Sequence, residues 1–131
     1  MSISLYYIGE RERRLSLEEM NCINSIIEKY RVKNNDYWEG GNISIPDYTE
    51  FNAPVVIEGS VEIGEYPDDY EMEIEEVVRW CYCLTEIARA VDNITWNVIL
   101  GDEALIFDDT VGFKLKKIPV KLHLYLKPDI D

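Results

Sequence analysis

Lysine and arginine are missing from the middle of this sequence, since none occurs between Lys33 and Arg79. The base-free segment, residues 34–78, contains thirteen of the 26 acidic residues. The other thirteen are balanced by the 13 lysines and arginines that lie outside it. The whole net charge of −13 therefore resides in one segment. A field of this sign repels nucleic acid and anionic membranes and attracts basic proteins.

Residues that form disulfides or hold metals are scarce. There is one histidine, His123, and there are three cysteines, Cys22, Cys81 and Cys83. An odd number of cysteines does not make a disulfide framework, and Cys81-x-Cys83 lacks the second ligand pair of a zinc site. We therefore expect reduced thiols, no metal and no cofactor, in a cytoplasmic protein.

Long apolar runs and catalytic motifs are also absent. No stretch approaches the roughly eighteen apolar residues of a membrane-spanning helix, and the N-terminus lacks the regions of a signal peptide. Gly40-Gly41 is not followed by Lys-Ser/Thr, so it predicts a turn and not a phosphate-binding loop. A Ser-His-Asp or Cys-His site would need His123, which we expect to be a solvated residue on a late strand. These absences favour a protein without enzymatic activity.

Hydrophobic periodicity predicts a single α+β domain over residues 1–131. Helical spacing of apolar residues predicts one helix from Ser16 to about Tyr30 and a second from Pro67 to about Val91. Alternating or short apolar runs predict seven strands. These lie at residues 2–8, 42–45, 55–63, 94–100, 103–107, 111–115 and 118–126. The last four strands form a predicted C-terminal β-meander. The element order favours two helices packed on one face of a mainly antiparallel sheet.

Both predicted helices begin with residues spaced as capping pairs. Ser16 with Glu19 forms a capping box at the first helix, and Asp68 with Glu71 is the corresponding pair at the second. Carboxylates in the first turn of a helix are stabilised by about 0.3–1 kcal/mol each, because the unpaired N–H groups and the helix dipole favour negative charge. This effect accounts for several acids of the stretch EYPDDYEMEIEEVV at 65–78.

The helix dipole does not account for the remaining acids or for the missing bases, because a protein that needs only solubility intersperses the two signs. Six of the fifteen aromatic residues also lie in the base-free segment, namely Tyr37, Trp38, Tyr48, Phe51, Tyr66 and Tyr70. Tyr and Trp are frequent anchors at protein interfaces. We therefore predict a surface that binds a basic protein, consisting of Trp38, Tyr48, Glu62, Glu65, Tyr66, Asp68, Asp69, Tyr70, Glu71, Glu75 and Glu76.

In size, acidity, cysteine usage and lack of a catalytic motif, the chain resembles bacterial immunity proteins of toxin–immunity systems, including contact-dependent inhibition. The pattern of EGS at 58–60, an acidic helix after it, W-x-V at 96–98 and GFKL at 112–115 is similar to that family. The resemblance implies a bacterial cytoplasmic protein whose partner is a cognate toxin. It further implies that the toxin is a nuclease and that its basic surface is occluded.

Three alternatives remain open at the level of sequence. A DNA mimic would use carboxylates in place of phosphates to block a DNA-binding protein. A small enzyme would work through carboxylates, with or without a divalent metal, although the sequence selects no catalytic pair. Asp102, Glu103, Asp108 and Asp109 cluster on the predicted hairpin turns and are a potential Ca²⁺ site, but they lack the EF-hand spacing. An adaptor subunit would bind a protein that is not a toxin.

Overall fold

The structure, a computed structural model, describes residues 3–33 and 38–130, and Asp36 and Tyr37 of the base-free segment lie outside them. The described part contains six strands and three α-helices. The strands are β1 (Ile3–Glu10), β2 (Val55–Ile63), β3 (Thr95–Leu100), β4 (Glu103–Ala104), β5 (Ile106–Asp108) and β6 (Gly112–Lys114). The helices are α1 (Leu17–Tyr30), α2 (Tyr70–Ala90) and α3 (Val120–Tyr125), and one turn of 3-10 helix covers Tyr48–Glu50.

The main sheet has the strand order β2-β1-β3-β4 and is antiparallel throughout. At its centre Leu5 of β1 is paired with Val61 of β2 and with Leu100 of β3. Successive side chains of a strand point to opposite faces. Accordingly Leu5 and Tyr7 are buried on the inner face, and Tyr6 is exposed on the outer face.

The two long helices share one hydrophobic cluster with the inner face of the sheet. Helix α1 begins with the predicted capping box, in which Ser16 Oγ accepts from the Glu19 N–H at 3.1 Å and Glu19 Oε1 accepts from the Ser16 N–H at 2.9 Å. The α+β class, with two helices on a mainly antiparallel sheet, is thus confirmed. Within the described residues, no helix combines the length and apolarity needed to span a bilayer.

Helix α2 has two buried faces, which explains its central position. One face carries the predicted apolar stripe, including Ile74 and Val78. The other carries buried residues at positions i, i+4, i+7 and i+11, which are Glu76, Trp80, Cys83 and Ile87. A third, narrower face remains accessible to solvent and includes the exposed Glu71 and Glu75.

The predicted strand at 42–45 is not formed. The described chain there runs irregularly beside β2, with the Gly41 N–H donating to the Glu62 carbonyl at 2.8 Å. The predicted meander is correct for its first and second hairpins, but the third is not formed and the first two do not share one sheet. The chain leaves the main sheet after Ala104, and β5 and β6 pair in a separate two-stranded sheet.

The predicted strand at 118–126 is wrong, because its central part is α3. The apolar residues of this stretch fit period 2, but the side chains turned to the core are the partly buried Leu122 and the buried His123 and Leu126, which are three and four residues apart as on one face of a helix. The His123 N–H donates to the Pro119 carbonyl at 3.0 Å, and the Leu126 N–H donates to the Leu122 carbonyl at 3.0 Å. Treating the histidine as polar concealed this helical pattern.

His123 is fully buried, so the prediction of a solvated histidine is also wrong. Its ring lies against Tyr82, with the centroids 4.8 Å apart, and neither ring nitrogen has a hydrogen-bond partner in the described part of the chain. Burial lowers the pKa of His123 from 6.5 to about 4, with a further contribution from the positive charge of Lys114 that exceeds the opposing effect of Asp108. The imidazole is therefore neutral at pH 7.

This buried histidine predicts a loss of stability in mild acid. Because its pKa is lower in the folded state, the unfolded chain binds the proton first, and stability falls as pH decreases from 6.5 through about 4. Between pH 7 and pH 4.5 the expected contribution of His123 to this loss is about 2.5 kcal/mol, measured by urea unfolding as the difference between the wild-type protein and a variant that lacks the imidazole. The variant His123→Phe, which keeps an aromatic ring against Tyr82, should lose this component.

The ion pair of Glu19 with Arg11 titrates at lower pH, so it does not interfere with the unfolding measurements between pH 7 and pH 4.5. Hydrogen bonds from Arg11 lower the pKa of Glu19 to about 2, so its contribution is lost only below about pH 4.5. If the wild-type protein and His123→Phe lose the same free energy of unfolding between pH 7 and pH 4.5, His123 is not the responsible group.

Candidate protein-binding surface

The acids at the start of α2 are organised by a turn that ends the connection from β2. Asp69 is the N-cap, since its Oδ1 accepts from the Met72 N–H at 3.1 Å, and its own N–H donates to the Tyr66 carbonyl at 3.0 Å. The predicted pair of Asp68 with Glu71 is therefore wrong by one residue. Asp68 and Glu71 are left with exposed side chains.

Glu76 is completely buried, although the sequence predicted it on the binding surface. Its Oε1 accepts from the Gly64 N–H at 3.0 Å, and its Oε2 accepts from the hydroxyl of Tyr66. The Tyr66 oxygen in turn accepts from the Glu39 N–H at 2.7 Å. One carboxylate thus joins α2 to two chain segments, 39–40 and 64–66.

Gly40 and Gly64 allow these segments to approach so closely. A Cβ atom at Gly40 would lie 2.0 Å from Glu76 Oε1, and one at Gly64 would lie 2.8 Å from the Cβ of Glu39. The Gly40-Gly41 pair, predicted to be a turn, therefore also provides the space that the buried carboxylate occupies. Glu39, which the sequence analysis did not select, is brought beside the acids that follow β2.

Burial is the main influence on the protonation of Glu76 and raises the pKa of its carboxyl above 4.5, against the effect of the backbone N–H groups of Gly64 and Gly40. A raised pKa means that the folded protein takes up this proton more readily than the unfolded chain. The stabilising effect is complete below pH 4.5 and decreases as pH rises through the raised pKa.

The two aromatic residues predicted as anchors from the loop pack against the protein itself. Trp38 is half-buried in a T-shaped contact with Trp80 at 6.2 Å, and its Nε1 donates to the Gly41 carbonyl at 3.3 Å. The hydroxyl of Tyr48 donates to Asn24 of α1 at 2.8 Å, and burial raises the pKa of Tyr48 to about 12. Both residues hold the loop in place, and both remain half-buried.

Seven exposed acids lie on the chain segments that Glu76 joins, on the end of β2 and on the start of α2, and we term this group the acidic face. Its members are exposed and are Glu39, Glu62, Glu65, Asp68, Asp69, Glu71 and Glu75. Ion pairs join Arg11 to Glu19, Lys29 to Glu86, and Arg31 to Glu28. These three cations are therefore paired with acids that lie outside the acidic face.

Arg79 lies one turn beyond Glu75 and has a structural role. Its Nε donates to the Tyr30 carbonyl at 2.7 Å, and its guanidinium lies 5.8 Å from the ring centroid of Trp38 and 5.9 Å from that of Trp80. Burial lowers the pKa of Arg79, and the attraction of Glu75 is among the effects that oppose this shift. The cation therefore ties α2 to the end of α1.

Groups with catalytic potential are sparse in the described part of the chain. It contains no group of three or more His, Cys, Asp or Glu side chains placed to hold a metal ion. All three cysteines are free, and burial raises the pKa of Cys81 and of Cys83 to about 12, so both remain unreactive thiols at neutral pH.

Comparison with protein-family models, with curated proteins and with solved structures returned no significant match.

The buried carboxylate predicts a clear difference between neighbouring residues of α2. Replacing Glu76 by Ala leaves the Gly64 N–H and the Tyr66 hydroxyl without their acceptor, so we expect the free energy of unfolding to fall by about 3 kcal/mol. Glu76→Gln retains one acceptor oxygen and should lose less, about 1 kcal/mol. Urea unfolding at pH 7 measures both values.

The matched control is Glu75→Ala, which removes the same side chain from the next, exposed position. We expect it to change stability by no more than about 0.5 kcal/mol. Equal losses for Glu75→Ala and Glu76→Ala would contradict the role assigned to the buried carboxylate.

Proposed function

We propose that this chain is an immunity protein that binds a cognate toxin and blocks it by covering a basic surface. The acidic face is the observation that carries the proposal. It concentrates seven exposed carboxylates on the 39–40 segment, the end of β2 and the start of α2. An arrangement of this kind attracts a cationic protein and repels nucleic acid.

A nuclease is the class of toxin that fits this charge best. The groove of a nuclease must be positive in order to hold phosphates, so a carboxylate-rich surface is complementary to it. Long-range attraction speeds the encounter of the two proteins, and complementary charges fix the orientation in which they dock. Inhibition then needs no chemistry from the immunity protein, since occupying the groove or its border excludes the substrate. We propose that the protein acts in the bacterial cytoplasm.

The activity itself is tested by co-expression with the polypeptide encoded immediately upstream. That polypeptide alone should arrest growth, and this chain should restore growth and co-purify with it as a complex. If growth remains arrested although the chain is folded and abundant, the proposal of an immunity function is wrong.

Charge reversal on α2 predicts a kinetic effect on the complex. In the double variant Glu71→Lys/Glu75→Lys, both changes are at exposed positions of the acidic face. At low ionic strength we expect association with the toxin to be at least about tenfold slower, because electrostatic steering is lost. Stopped-flow or surface-based kinetics at several salt concentrations measure the association rate.

The matched control is Glu12→Lys/Glu18→Lys, which changes the net charge equally at exposed positions before and at the start of α1. Glu18 and Glu71 both lie in the first turn of a helix, so the dipole energy lost is similar in the two variants. We expect the control to bind within about threefold of the wild-type rate, since net charge alone has a small effect. Equal slowing in both variants would remove the acidic face from the interface.

A further inference from the structure

A small apolar cleft opens beside the acidic start of α2. It encloses about 70 Å³ and lies between α2, one end of the main sheet and the chain after β6. Apart from Glu73 and Lys117, its lining residues are apolar or aromatic, namely Ile3, Ile63, Tyr70, Ile74, Val77, Leu100 and Leu115. A single water needs roughly 10–15 Å³ of such space, so the cleft has room for one side chain rather than a cofactor.

The mouth of the cleft exposes apolar surface. Tyr70 is 58% exposed and Ile3 is 43% exposed, although both belong to residue types that are usually more buried. Tyr70 is also the only aromatic residue of the predicted binding set that is classed as exposed in the described chain. A ring at the edge of an apolar cleft is typical of the anchoring points of protein interfaces.

The charges around the cleft differ from one side to the other. On the α2 side lie Glu73 and, in the same first turns of the helix, the exposed Asp69 and Glu71. On the opposite side lies Lys117. A bound segment therefore meets negative charge along α2 and one positive charge across from it.

We propose that this cleft receives one apolar side chain of the toxin, presented on a segment whose flanking lysines or arginines lie along the start of α2. This inference rests on the proposed function and specifies where the acidic face holds its partner. The apolar side chain supplies affinity by leaving water, and the flanking cations supply orientation.

Synthetic peptides test the cleft without the toxin. The first probe has a central leucine flanked on both sides by lysines, the second has serine in place of leucine, and the third has glutamates in place of the lysines. Fluorescence polarisation at low ionic strength measures their binding to the full chain. We expect the leucine peptide to bind about tenfold more tightly than the serine peptide, as burial of one apolar side chain implies.

Each outcome of the peptide series has a definite meaning. Equal binding of the leucine and serine peptides would overturn the cleft inference and leave the acidic face, and with it the proposed function, intact. Failure of both cationic peptides to bind would overturn the inference and the electrostatic basis of the proposed function together. Tighter binding of the glutamate peptide would show that the assigned charge of the occupant is wrong.

Variants locate the binding to this cleft. Tyr70→Ala should abolish the preference for leucine over serine. The matched control Tyr125→Ala, which removes an aromatic ring that is 77% exposed on α3, should leave the preference unchanged. If both variants lose the preference for leucine, or if neither does, the leucine side chain does not bind in this cleft.

A second pair of variants tests the charge across the cleft. Lys117→Glu removes the one cation at its edge and should tighten binding of the leucine peptide several-fold. Arg13→Glu changes the net charge equally but lies beyond the far end of β1, roughly 25 Å away. A larger effect of Arg13→Glu than of Lys117→Glu would overturn the proposed orientation.

Discussion

The buried carboxylate of Glu76 is the interaction on which the acidic face depends. A carboxylate without solvent is costly unless hydrogen bonds replace its hydration, and here the replacements come from the Gly64 N–H and the Tyr66 hydroxyl. Because Tyr66 also accepts from the Glu39 N–H, the same carboxylate fixes the position of the loop. Together with the Gly41 N–H bond to the Glu62 carbonyl and the contact of Trp38 with Trp80, this link sets the turn after β2 and the 39–40 segment beside α2.

The acids of the base-free segment thus divide into two kinds. Glu76 is directed inward, where hydrogen bonds from the Gly64 N–H and the Tyr66 hydroxyl replace its hydration. Others, such as Glu71 and Glu75, are exposed and repel one another. Repulsion among exposed charges is modest in water because of its high dielectric constant and salt screening. The fold can therefore carry the acidic face, provided that the buried acid is fully hydrogen-bonded.

Periodicity and local capping were sufficient to predict most of this fold, but not the loop contacts. The strand at 55–63 and the Ser16 capping box were predicted as they occur, because both depend on residues close in the chain. Glu76 was misplaced because its burial depends on a loop more than thirty residues earlier. Its spacing to Trp80 and Cys83 is a signal that a second face of α2 is covered. Likewise the cleft at Tyr70 arises from β1, β3 and the chain after β6 together, and no local pattern contains it.

Several cations of the described chain are engaged away from the acidic face. Arg11 binds Glu19, Lys29 pairs with Glu86, and Arg79 is directed to the Tyr30 carbonyl and two tryptophan rings, so each of these bases stabilises packing elsewhere. Bases placed among the exposed acids would relieve their repulsion, yet each surface pair adds only about 0–1 kcal/mol. Such pairs would also reduce the long-range field that draws in a cationic partner. The small gain in stability is outweighed where fast capture of a basic protein is the function, as we propose.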